Sequence, residues 1–142
     1  MGLVSIFVES RDYLLIQIEQ LSRFLGKVLA DFLRLKSNNP NAPMEEINVA
    51  MKSQMGLDLY EMISLPIEDV VDKMQGNRSY SDQNLEDLCR LVETIAFTMD
   101  GESDERKKFL DWCLKAYAYV DTKSDTFSFE RKARMDKIKY EN

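Results

Sequence analysis

The chain has no histidine. That removes the commonest general base and the commonest metal ligand. Glycine and proline are scarce, with five and three among 142 residues. All-β folds use both freely in their turns, so the scarcity argues for helices. The only cysteines are Cys89 and Cys113. An all-cysteine zinc site needs more of them, and a chain of this length buries enough surface to do without a disulfide, so both are expected as free core thiols. Long hydrophobic runs are missing too. The stretch Leu3 to Val8 ends at Glu9, lacks a basic flank and is too short for a secretory signal. No run approaches the ~20 apolar residues of a membrane helix. Met1-Gly2 lacks a hydroxyl at the sixth position, where Ile6 stands, so the myristoylation signature fails. A cytoplasmic protein is expected.

The chemistry of the remaining residues is equally spare. The five glycines, at 2, 26, 56, 76 and 101, form no phosphate-binding loop. Serine and cysteine nucleophiles have no histidine base. Adjacent acids such as Glu86-Asp87 and Asp104-Glu105 point to different helix faces or sit at helix starts, where they complement the dipole. Asp58, Glu61, Glu68, Asp69 and Asp72 lack the spacing of a calcium loop. No catalytic residue, cofactor or metal is therefore expected. An enzyme working with carboxylates alone is the least favoured reading.

Charge is uneven. Residues 57–105 carry three basic and thirteen acidic side chains, whereas 106–142 carry ten basic and six acidic ones, within a net charge of −6. A nucleic-acid surface needs clustered Lys and Arg. Only Arg131, Lys132, Arg134, Lys137 and Lys139 come close, and Glu130 and Asp136 dilute them. The expectation is that this last helix lies against the acidic middle, with no nucleic-acid and no membrane partner.

What the chain does contain is helical periodicity. Hydrophobic residues make up 44% and charged residues 31%. Leu14, Ile18, Leu21, Leu25, Val28, Phe32 and Leu35 recur at alternating spacings of four and three, a heptad seam. Leu15, Leu29 and Leu33 run beside it. Capping by Ser10 sets a long helix over 11–36, with Gly26 marking a close helix crossing. A loop over 37–43 follows, and Pro43 opens the next helix. Further helices are predicted over 43–55, 66–75, 82–99, 104–120 and 129–140, with a short helix or turn over 57–64. Helix 104–120 is apolar almost all round in its second half and is expected to be central. Nothing alternates as a strand. The fold class is all-α: one domain over 1–142, an antiparallel helical bundle or an array of helical hairpins.

Two resemblances follow from particular residues. Asp12-Tyr13-Leu14-Leu15-Ile16-Gln17-Ile18-Glu19-Gln20-Leu21 resembles the opening of a family of small uncharacterised bacterial helical proteins, with Ile16 where that family carries a basic residue. The stretch Lys123 to Arg131 is similar to the same family. Phe109, Cys113 and Ala116 match the spacing of the second helix of tetratricopeptide repeats, which implies hairpins in the C-terminal half. Neither resemblance implies an activity.

The remaining signal is surface. Seven of the fourteen aromatic residues lie beyond position 108. Trp112, Tyr119, Phe127 and Phe129 are the candidates for a partner-binding groove, against the alternative that they only fill the core. The favoured expectation is a non-catalytic protein-interaction or scaffolding module that binds another protein or itself, as a homodimer through helix 11–36. A sensor holding a small apolar ligand between helices is the alternative.

Overall fold

The structure, a computed structural model, describes residues 3–38, 44–76 and 80–141, with side chains of the first helix described from 12 to 34. Among the described residues there are seven helices and no strand: α1 (Leu3–Asn38), α2 (Met44–Met55), α3 (Leu59–Ile63), α4 (Ile67–Gln75), α5 (Asp82–Phe97), α6 (Asp104–Lys123) and α7 (Phe129–Glu141). The all-α expectation holds. Within the described residues, no helix is long and apolar enough to cross a membrane.

Several boundaries differ from the sequence reading. α1 begins at Leu3 and runs through Ser10, so Ser10 caps nothing. No proline or glycine lies between Leu3 and Ser10 to stop the helix, and one already nucleated extends at little cost. It also runs on to Asn38, and residues 39–43, with Pro43, lie outside the described residues. α5 ends at Phe97, where the Thr98 N–H bonds to Ile95 O at 3.1 Å. α6 continues to Lys123, which places that cation in the last turn, where the helix dipole favours it. Local caps act where the residues suggest them. Ser103 Oγ accepts from Arg106 N–H at 3.2 Å, and Ser128 Oγ accepts from Arg131 N–H at 3.1 Å. Asp58 caps α3 by accepting from Glu61 N–H at 2.8 Å. Gly56 follows α2 at φ 76°, a conformation few other residues adopt without strain.

α6 packs against α5, α7, α3 and α4, the central place expected of it, and shares its most extensive contact with α5. α5 packs against both α1 and α6, and its buried positions include Leu85, Leu88, Cys89, Leu91, Val92, Ile95 and Ala96. Its sequence looks more amphipathic than it behaves, because two of its polar residues are also buried. Asn84, fully buried, accepts from Ser81 N–H at 2.9 Å and donates to Ser22 Oγ at 2.9 Å and Ile18 O at 3.1 Å. Ser22 in turn donates to Asp87 at 2.7 Å. Each polar atom of Asn84 thus has a partner, which removes the penalty of its burial and clamps α1 to the start of α5.

On its other side, α5 meets α7 through charge. Buried Glu93 accepts from Tyr117 Oη at 2.9 Å and from Arg134 at 3.2 Å. Buried Arg131 bridges Glu86 and Asp121. Lys137 lies 4.6 Å from the Phe97 ring centroid. Rising residue numbers pair with rising numbers, so α7 runs parallel to α5. It runs antiparallel to α6, joined by Arg131–Asp121 at one end and Arg106–Glu141 at the other. Two arginines of the basic last helix thus pair with Glu86 and Glu93 of the acidic middle.

Gly26 is a second correction. It is exposed, and a Cβ built there meets nothing within 4 Å, so no helix crosses closely at that point. On α6, Leu114 is only half-buried, whereas Phe109, Leu110, Cys113 and Ala116 are inaccessible.

Candidate functional site

A recess of about 850 Å³ lies between α6 and the α3–α4 corner. Its formation follows from local sequence. Pro66 cannot continue α3 and instead precedes α4, so the chain turns at Ser64-Leu65-Pro66 and holds that corner away from α6. Phe109 of α6 anchors the corner, with its ring 5.8 Å from that of Tyr60 in an edge contact. The corner contributes an apolar wall of Ile63, Leu65, Pro66 and Ile67.

The α6 wall is mixed. Glu105, Lys108, Trp112 and Lys115 recur at spacings of three, four and three, one face of the helix. Trp112 is 3% exposed, and its Nε1 has no hydrogen-bond partner among the described residues. Glu105 likewise has a buried Oε1 without a partner. Leaving such a group unpaired costs roughly 1–3 kcal/mol. Tyr60 sits at the edge of the recess. Burial first, then hydrogen bonding to the Glu105 carboxylate, pushes its phenol up to about 12. Lys108, Asp111 and Lys115 are exposed at the mouth. Such a surface can bind a molecule by hydrogen bonding and apolar contact.

Of the four aromatic residues singled out from sequence, Trp112 alone lines this recess. Tyr119 is half-buried farther along α6, with the Lys123 ammonium 5.5 Å from its ring centroid. Phe127 and Phe129 are exposed by 64% and 84% and stack edge-to-face on each other, with centroids 4.8 Å apart. Sequence reasoning missed Tyr60, Glu105 and Lys108. The spacing shared by Glu105, Lys108 and Trp112 was the available signal, masked because acids early in a helix already have a role at its positive end.

A second surface feature is on α1. Tyr13, Leu14, Leu15 and Ile16 are exposed by 61%, 46%, 49% and 50%. The heptad seam therefore changes character within one helix: Leu14 is exposed, while Leu21, Leu25, Val28 and Phe32 are buried.

Nucleophiles and metal ligands are poorly placed. Cys89 and Cys113 are free and buried, and Cys113 Sγ donates to Cys89 O at 3.7 Å. Burial pushes both thiols well above their usual range, which suppresses thiolate chemistry. Among the described residues, no three Cys, Asp or Glu side chains converge to hold a metal ion. No protein-family model, curated protein or solved structure matches this chain.

Proposed function

We propose that this protein is a non-catalytic helical interaction module, with residues 13–16 of α1 as its docking element and a second copy of the chain as the occupant. The observation that carries the reading is the exposure of Tyr13, Leu14, Leu15 and Ile16. Four consecutive helical positions sweep roughly 300° around the axis, so this segment is apolar on nearly every side. A helix of that kind is ordinarily enclosed by neighbours. Leu14 and Ile18 prolong the seam of Leu21, Leu25 and Val28 in the same heptad register, which suits pairing with a like helix.

The non-catalytic part rests on the absence of histidine, the buried and deactivated thiols, and the engagement of Glu93 by Arg134 and Tyr117. Free cysteines also suit a reducing, cytoplasmic setting. Light scattering coupled to size exclusion tests the proposal. The expected mass is twice the 16.6 kDa of one chain, and the double variant Leu14→Glu, Leu15→Glu is expected to run as a folded monomer. A monomeric parent chain at about 100 μM would overturn self-association, because a micromolar dimer would be mostly assembled there.

A further inference from the structure

We infer that, in the self-associated form, Tyr13 and Ile16 of each copy pack on the Phe127–Phe129 pair of its partner. This contact rests on the self-association proposed above and adds a second surface to it.

Pairing along the seam leaves one side of α1 bare. At 3.6 residues per turn, Leu14 and Ile18 lie on the seam, whereas Tyr13 and Ile16 lie roughly 150° round the helix from it. A like helix laid on the seam covers Leu14 and leaves Tyr13 and Ile16 exposed.

The fold sets a matching surface at the same level. α1 runs parallel to α5: Asn84, near the start of α5, bonds to Ile18 O and Ser22, and the buried seam of α1 continues downstream from Leu21. α7 also runs parallel to α5, from Arg131 on Glu86 to Lys137 on Phe97. Residues 13–16 and 127–129 both precede these anchor points, so they share one end of the bundle. Asn84 and Asp87, which meet α1, point roughly opposite to Glu86, Arg90 and Glu93, which meet α7. α1 and α7 thus flank α5, with axes roughly 20 Å apart at usual packing distances. A partner's α1, about 10 Å across, matches that separation. With its seam against the first α1, its Tyr13 and Ile16 face the phenylalanine pair. The two α1 helices are antiparallel, because a parallel partner would run on into α5. Two-fold symmetry makes the contact reciprocal and closes it at two copies.

Area points the same way. Among the described residues, Tyr13 to Ile16 expose roughly 400 Å², about half of the ~800 Å² that each partner of a stable interface buries. Phe127 and Phe129, exposed by 64% and 84%, add about 300 Å².

Sedimentation equilibrium on the full chain tests the contact. The double variant Phe127→Ser, Phe129→Ser is expected to raise the dimer Kd about tenfold, with circular dichroism and urea unfolding unchanged because both side chains are exposed. Tyr13→Ser is expected to weaken the parent similarly, yet to add less than about threefold in that double variant, since both changes remove one contact. Tyr140→Ser, exposed at the far end of α7, is expected to leave Kd unchanged. Mild oxidation of a mixture of Ile16→Cys and Phe129→Cys chains is expected to link two chains by a disulfide. Phe129→Cys chains alone are expected to stay single, because two α1 helices separate the phenylalanine pairs. Cys89 and Cys113 are buried and do not compete. A monomeric parent chain at about 100 μM would overturn self-association and this contact together. With a dimeric parent, an unmoved Kd in the phenylalanine variant, full multiplication of its loss with that of Tyr13→Ser, an equal loss from Tyr140→Ser, or unlinked mixed chains would overturn this contact alone.

Discussion

The two ends of the heptad on α1 have the same spacing and opposite fates. From Leu21 to Phe32 the seam is sealed, with Leu25 1% exposed. At Leu14, two turns before Leu21, it is open to solvent, together with its neighbours Tyr13, Leu15 and Ile16. Intrinsic propensity does not separate the two stretches, since both are rich in leucine. What separates them is a partner. The Asn84–Ser22 and Asn84–Ile18 hydrogen bonds mark where α5 begins beside α1, and upstream of that clamp the described apolar side chains are exposed. An unbroken heptad can therefore serve an internal interface over one part of its length and an external one over another.

The comparison predicts unequal responses to similar changes. The largest effect is expected for Leu25→Ala, which removes a side chain buried against the core and should cost about 2–5 kcal/mol in urea unfolding. Asn84→Ala comes next. It strands Ser81 N–H, Ser22 and Ile18 O at the clamp and should cost roughly 1–3 kcal/mol. It should also raise amide exchange at the start of α5 more than in α6. Gly26→Ala acts in the opposite direction. The site is an exposed helix interior with space for a methyl group, so thermal unfolding should show a gain of about 0.5–1 kcal/mol. Leu14→Ala should have the smallest effect on the fold, within about 0.5 kcal/mol, while weakening self-association. A large loss of monomer stability from Leu14→Ala would mean that the two ends of the seam are alike after all.

A pH series sharpens the contrast between α1 and the recess. The phenol of Tyr60 is raised to about 12 from an ordinary value of 10, so the folded state holds its proton more tightly than the unfolded state. Its contribution to stability is therefore complete below about pH 10 and is lost as pH rises from there towards 12. Glu105→Gln should lower this phenol's midpoint in a spectrophotometric titration, because it removes the charge that opposes ionisation.

Much of the architecture was legible without coordinates. Periodicity 3.6 and the scarcity of glycine and proline dictate helices, and Ser103, Ser128 and Gly56 mark ends because capping is a local interaction within a few residues. The alternating charge of residues 57–105 and 106–142 likewise anticipates that Arg131 and Arg134 meet Glu86 and Glu93, since opposite charges in one small domain attract over the connecting turn. Local sequence was less informative about where α1 starts, because extension of a formed helix needs no dedicated signal. The tertiary structure alone decided which polar residues of α5 are buried. Asn84 and Glu93 read as solvated when taken one helix at a time, and they become tolerable inside only when Ser22, Ile18 O, Tyr117 and Arg134, distant in sequence, supply their hydrogen bonds. The recess has the same origin. Glu105, Lys108 and Trp112 share a face by helical geometry alone, but that face becomes a site only because a proline corner some forty residues earlier folds back over it and leaves space between.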